Sequence, residues 1–481
     1  MKHALLIYVA IVSLVGLGIF GILHLGNQLP QPVSTTPPAV LNGTNAGSAP
    51  LFEAVASGLK QSASDPLSRL FLQLLVIIAA SRAAGMIFNR LGQPAVVGEM
   101  VAGILLGPSL FGLLTPDLFH FVFPASSLGA LKLFSQIGVC LFMFAVGMEL
   151  DVSQVRNKAH TAVVVSHASI IIPYFFGVVL AYFLYEQLAQ PGASFTAFAL
   201  FMGISMSITA FPVLVRILQD RGIFKTHLGS TATACAAVDD VTAWSVLAFV
   251  VAIVRATSIG AAAVSLCMVL VFVALVLMVL KPNLPRWIGQ AALERPDPGK
   301  GVLVAVVGIV LVCALCTELI GIHALFGAFL AGVIMPETGD FRRKLSVRIE
   351  NFSSVLLLPL FFAFTGLRTQ IGLLNDAGGL LLCLVIIAVA TAGKLGGSAI
   401  TARLTGMPWR ESLQLGALMN TRGLMELIAL NIGYDLGILS QRIFTMLVIM
   451  ALVTTLMTGP LFSWFGRKRT AHDVTPEPQF S

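Results

Sequence analysis

Charge is what this sequence has least of. Of 481 residues only 11% are Asp, Glu, Lys or Arg, while 57% are hydrophobic. A soluble chain carries roughly a quarter of its residues as charges, so an ordinary soluble domain is excluded. Cysteine is sparse as well. The six (Cys140, Cys235, Cys267, Cys313, Cys316, Cys383) all lie in apolar runs, which argues against a disulfide framework. Cys313 and Cys316 form a CxxC, but without a second pair or a nearby His the spacing reads as packing, and no cofactor is expected. The net charge is +7, yet the basic residues scatter among short loops instead of forming a patch. That distribution argues against nucleic acid as a partner and for a membrane topology signal.

Long apolar runs are abundant. From about residue 70 they alternate with short polar loops, at roughly 18 to 25 residues each, the length that crosses a bilayer as helix. Thirteen are expected, near 70–89, 94–113, 129–148, 160–185, 195–218, 228–254, 259–280, 301–319, 322–336, 352–367, 377–402, 411–431 and 440–465. The fold class is therefore an all-α polytopic membrane protein. Residues 1–27 read as an additional membrane anchor or signal-like helix, because the apolar stretch is long for a signal core and no small-x-small site follows closely. Residues 28–69 read as a flexible extracytoplasmic linker rich in Pro, Ser, Thr, Asn and Gly. Its Asn42-Gly43-Thr44 sequon reads as a chance match.

Arg and Lys concentrate in alternate loops, for example Arg216, Arg221 and Lys225, then Arg342, Arg343, Lys344 and Arg348, then Arg467, Lys468 and Arg469. By the positive-inside rule these loops and the tail 467–481 face the cytoplasm, which suits a multi-pass plasma or inner membrane protein.

The chain also repeats. "GQPAVVGEMVAGILLGP" from Gly92 matches "GIHALFGAFLAGVIMP" from Gly321, and "GVCLFMFAVGMELDVSQV" from Gly138 matches "LLLPLFFAFTGLRTQIGL" from Leu356. Each pair is seven spans apart, an odd number, so the two copies run in opposite directions through the membrane. This gives inverted six-helix repeats over 70–257 and 300–466, joined by a linking helix and loop at 258–299. Inverted repeats mark secondary transporters, with the site at the midplane where the copies meet.

Ionisable residues within the spans are then the candidates for function. Asp239 and Asp240 lie about 16 to 18 Å along the sixth span at 1.5 Å per residue, which is mid-bilayer. Capping a neighbouring helix or lining a solvated interface is the bland alternative, but one Ser or Asn would cap at lower cost. In the fifth span, Ser207, Thr209 and Pro212 predict an interruption, since Pro212 lacks an N–H and clashes with the Ile208 carbonyl. In the second half "LMNTRGLMELIALNIG" holds Asn420, Thr421, Arg422, Gly423 and Glu426, with Arg422 and Glu426 spaced to pair on one helix face. Lys394, deep in the eleventh span, needs a carboxylate partner, and Asp239 or Asp240 is the obvious one. Glu99 is placed either beside the pathway or against the opposite repeat. His167 and His323 read as packing residues, and Glu149 and Asp151 as solvated residues at a helix end.

"GQPAVVGEMVAGILLGPS", "AAVDDVTAW", "GKLGG" and "LMNTRGLMELIALNIG" together resemble the monovalent cation:proton antiporters, especially the branch of plant cation/proton exchangers and fungal potassium/proton antiporters. The resemblance covers about residues 70 to 465. It implies a thirteen-helix core with crossing broken helices, a dimer-forming panel and a moving ion-carrying part. It implies that Asp240 carries the transported Na⁺ or K⁺ and the proton in turn, that Asp239 pairs with Lys394 in the cation-free state, and that Thr209 and Ser207 belong to the unwound segment beside the site. Lys394, Arg422, Glu426 and Asn420 would act as charge partners and gates; release of Lys394 with loss of its proton would make exchange electrogenic. The chain departs from the potassium-efflux relatives in showing no C-terminal nucleotide-binding domain. Two rivals remain in view: a cation channel or cation-coupled solute symporter on the same scaffold, and an intramembrane aspartyl hydrolase. The hydrolase needs carboxylates on facing helices sharing a proton, whereas these two are adjacent on one helix, so no enzyme activity is expected.

Overall fold

The computed structural model describes residues 62, 65–149, 159–224, 226–255, 259–289, 299–336 and 340–466. The expected anchor 1–27, almost all of the linker, Asp151 and the tail 467–481 lie outside the described residues. The described chain is helical, with one isolated antiparallel bridge between Ala189 and Leu439.

Fifteen helices position the site: α1 (Pro66–Arg90), α2 (Ala95–Leu106), α3 (Leu128–Glu149), α4 (Ala159–Leu188), α5 (Phe195–Ser207), α6 (Phe211–Asp220), α7 (His227–Arg255), α8 (Ile259–Leu275), α9 (Lys300–Ile320), α10 (Ala324–Val333), α11 (Phe341–Leu367), α12 (Ala377–Leu404), α13 (Trp409–Met419), α14 (Leu424–Asp435) and α15 (Gln441–Gly466). Among the described residues, eleven helical stretches are long and apolar enough to cross a membrane. The two remaining expected spans differ in form. The ninth is the short α10, bounded by a left-handed Gly321 (φ 95°) and by His323, whose own φ is 96°. The twelfth is broken into α13 and α14. α1 starts at Pro66, four positions before the expected 70, because proline suits the first turn of a helix.

The helices pack in two sets. In one, α2 packs on α1 and α11, and α10 packs on α3 and α9. In the other, α4 packs on α5, α7 and α12, and α13 packs on α12 and α15. Small residues allow the closest crossings. A Cβ on Gly103 of α2 would overlap the Phe362 carbonyl of α11, and one on Gly366 of α11 would overlap the Gly103 carbonyl. The same exchange recurs between α10 and α3, where Gly332 meets the Phe144 carbonyl and Gly147 meets the Phe329 carbonyl. Large apolar side chains cover the outside, Leu319 and Met278 each being 77% exposed. Such a surface is stable against lipid rather than water.

Candidate functional site

Both expected interruptions are present, and they touch. α5 ends at Ser207, residues 208–210 are extended, and α6 begins at Phe211 with Pro212 in its first turn. α13 ends at Met419, and α14 resumes at Leu424 after Asn420, Thr421, Arg422 and Gly423. The Ala210 amide donates to the Thr421 carbonyl at 3.0 Å, and Thr209 Oγ1 lies 3.1 Å from the Met419 carbonyl. Each break therefore supplies partners for backbone groups that the other leaves free, as a low-dielectric interior requires.

The carbonyls at the end of α5 are taken by two buried cations. Arg422 donates from Nη1 to the Ser205 carbonyl at 2.5 Å and from Nη2 to the Met206 carbonyl at 2.6 Å. It also pairs with Glu426 Oε2 at 3.0 Å, the i,i+4 pair expected from the sequence. Lys394 donates to the Ser207 carbonyl. Positive charge at the carboxyl end of a helix complements its dipole. Lys394 reaches this point from a wide, π-type turn of α12 spanning Ala392–Gly396, a local widening that recurs at functional sites.

Lys394 and Asp239 form the centre of the cluster. Their side chains are both 0% exposed, with Nζ 2.9 Å from Oδ2. Lys394 also donates to the Ser169 carbonyl at 2.9 Å. Asp239 accepts from Ser166 Oγ at 2.6 Å, from Ser169 Oγ at 2.8 Å and from Thr209 Oγ1 at 2.6 Å. This carboxylate is fully satisfied: one ammonium and three hydroxyls share its two oxygens.

Asp240 is different. It too is 0% exposed, but neither Oδ1 nor Oδ2 has a hydrogen-bond partner. The Phe211 amide, at the start of α6, lies near this carboxyl but outside hydrogen-bond geometry. Further buried oxygens without partners are Asn420 Oδ1, Ser205 Oγ and Glu426 Oε1.

The remaining candidates fall around this centre. Ser207 turns its hydroxyl back to the Gly203 carbonyl of its own helix at 2.6 Å, so it is its carbonyl that serves the cluster. Asn420 Nδ2 reaches only the Thr454 carbonyl, at 3.5 Å. Glu99, Glu149, Arg82 and Arg216 line a cavity of about 350 Å³ whose inner wall includes Ala210, Pro212 and Met425, residues at the two breaks. His167, read as a packing residue, is exposed, and its Nδ1 donates to the Val163 carbonyl of its own helix at 2.8 Å. The sequence reading missed Ser166 and Ser169. Their i,i+3 spacing in an apolar run, which puts both on one face of α4, was the available signal.

Apolar helices with two interrupted members meeting at a buried charge cluster make a membrane-transporter architecture. The chain belongs to the sodium/hydrogen exchanger family: a family model described as "Sodium/hydrogen exchanger, transmembrane" matches residues 74–468. It is 43% identical over 399 residues to the Na(+)/H(+) antiporter NhaS4 of Synechocystis, covering 83% of this chain and 97% of that one. It is 40% identical to Cation/H(+) antiporter 20 of Arabidopsis thaliana, covering 81% of this chain and 48% of that one. It is 32% identical to K(+)/H(+) antiporter 1 of Saccharomyces cerevisiae, covering 83% of this chain and 46% of that one. The chain thus spans about half the length of these plant and yeast relatives. The solved structure of the sodium proton antiporter MjNhaP1 from Methanocaldococcus jannaschii aligns with a TM-score of 0.59 at 15% identity, covering 83% of this chain and 98% of that one, a likeness of fold.

Proposed function

We propose that this protein exchanges a monovalent cation, Na⁺ or K⁺, for protons by alternating access, with Asp240 as the shared carrier. The observation that carries the reading is the contrast within one turn of α7: Asp239 is saturated with donors, and Asp240 has none. A bare carboxylate held away from water at this depth is too costly to persist. It must hold a proton or a cation, and whichever it holds excludes the other. Competition for one group is sufficient for exchange. Thr209 Oγ1 and Asn420 Oδ1, the latter without a partner, are oxygen donors of the kind a hard monovalent cation takes.

Alternating access, rather than a channel, is favoured by the cavities. The 350 Å³ cavity reaches the breaks from one end of the bundle, while a cavity of about 30 Å³ lies at the other. Phe361, Ile428 and Phe364 line the small one, and Phe362, Met425 and Leu358 the large one, so apolar side chains of α11 and α14 separate them. The positive-inside reading puts the large cavity on the cytoplasmic side, together with the C-terminus, and the protein in a plasma or inner membrane. The thirteen-span, inverted-repeat reading is supported by the reciprocal glycine crossings. α2 of the first repeat meets α11 of the second through Gly103 and Gly366, and α10 of the second meets α3 of the first through Gly332 and Gly147. A homodimer formed through the panel helices belongs to the same reading.

The test is cation-driven proton movement in proteoliposomes. Asp240→Asn should stay folded and show no proton countertransport on adding Na⁺ or K⁺, with no organic solute required. Exchange that persists in that variant overturns the assignment.

A further inference from the structure

The small cavity lies at the end of α14 away from the breaks, and a set of polar contacts crosses it. Asp435, the last residue of α14, is bonded by Arg368 Nη2 at 2.7 Å to Oδ1 and by Lys132 Nζ at 3.0 Å to Oδ2. Arg368, just past α11, also donates to Asn431 Oδ1 at 3.0 Å, and Asn431 Nδ2 donates to Thr365 Oγ1 at 2.9 Å. Arg368 stacks over the Phe364 ring at 4.2 Å and the Tyr434 ring at 5.1 Å. Every one of the polar links joins α14, which carries a broken-helix end and Glu426, to α3 or the end of α11, which pack in the other helix set.

Three features make this a gate rather than a fixed brace. Asp435 places a negative charge at the carboxyl end of a helix, where the dipole opposes it, so its position depends on the two cations that flank it. The group is partly solvated, with side-chain exposures of 36% for Lys132, 30% for Asp435 and 17% for Arg368. Ion pairs so placed are weak enough to break repeatedly. Finally, the cavity beneath them is walled by polar Ser135, Gln136 and Asn431 and by His323, whose Nδ1 is buried without a partner and whose backbone adopts φ 96°. Its volume of about 30 Å³ is enough for a water among those groups, and strained backbone is commonly retained at moving sites.

We propose that Asp435, held by Lys132 and Arg368, is the gating carboxylate of the second mouth: the paired state keeps that end shut while the large cavity is open, and the cation passes Asp435 when the pairs part. The inference rests on the alternating-access reading above, and its test is independent of the carrier assignment. Ser135 is 1% exposed and lines the small cavity, so a cysteine introduced there by Ser135→Cys reports its opening. In lipid nanodiscs, where a membrane-impermeant maleimide reaches both faces, the labelling rate at that position is followed by peptide mass. Adding Asp435→Asn should raise the rate roughly fivefold, the size of a modest conformational coupling, and Lys132→Gln should raise it less. An unchanged rate in Asp435→Asn overturns the gate. If Asp435→Asn does not elute as folded protein, Lys132→Gln decides alone, and an unchanged rate there overturns it equally. The rise should persist with Asp240→Asn added. Exchange retained by Asp240→Asn would remove the carrier reading and leave this labelling result standing.

Discussion

Asp239 and Asp240 share a buried turn of α7 but belong to two different surroundings. The Asp239 side faces α4 and α12 and is closed: Lys394, Ser166, Ser169 and Thr209 all donate to it. The Asp240 side faces the start of α6 and is open in hydrogen-bonding terms, with both oxygens unpartnered. Adjacent residues on a helix point about 100° apart, which is what lets one carboxylate be fully bonded while its neighbour is left without a partner. On the proposed reading, the chemistry is set by what is withheld from Asp240 as much as by what is given to Asp239.

The comparison can be broken most forcefully from the Asp239 side. Asp239→Asn leaves the Lys394 ammonium buried without its carboxylate, and stripping one partner from a buried pair costs about 3–5 kcal/mol. The variant should lose thermal stability sharply in detergent, read as surviving monodisperse protein after heating. Asp239→Asn combined with Lys394→Met should recover part of that loss, since no stranded charge remains. Asp240→Asn should cost far less stability while removing exchange. If Asp240→Asn proves the more damaging to stability, the two roles have been assigned the wrong way round.

A smaller effect is expected from Thr209→Val, which keeps the shape at the first break and removes one donor to Asp239. A hydrogen bond between membrane helices is worth about 0.6 kcal/mol on average and ~1.7 at most. Stability should fall by that order, and cation affinity should weaken if the hydroxyl also serves the ion. The smallest effect lies at the membrane edge. Asp376 caps α12 by accepting from the Gly379 amide at 2.9 Å, and it pairs with Arg442 at 2.6 Å. The amide first, then the guanidinium, hold its carboxyl below its usual range. A folded-state value below the unfolded one means that this contribution is present above the unfolded value and fades as pH falls through the folded one. Asp376→Ala should therefore lower stability slightly at neutral pH, converge with the parent in acid, and leave exchange intact.

Much of the site was legible because charge inside an apolar run is expensive and hence informative. Asp239, Asp240, Lys394, and the Arg422–Glu426 pair stood out on that ground alone, and Pro212 located the first break. What was not legible depends on tertiary contact. Ser166 and Ser169 look like any serines in a membrane helix until α4 packs beside Asp239. Ser207 offered a hydroxyl in the sequence, but the helix claims that hydroxyl and only the carbonyl reaches Lys394. The ninth span was expected over 322–336, and the left-handed Gly321 and His323 start its helix, α10, at Ala324.

The most direct measurement is proton release on cation binding by the purified protein in weakly buffered solution. If H⁺ and the cation take turns on one carboxyl, adding Na⁺ or K⁺ to the wild type should acidify the solution, with up to about one proton freed per cation bound, and Asp240→Asn should release none. Cation binding without proton release in the wild type, or equal release from Asp240→Asn, would contradict the account.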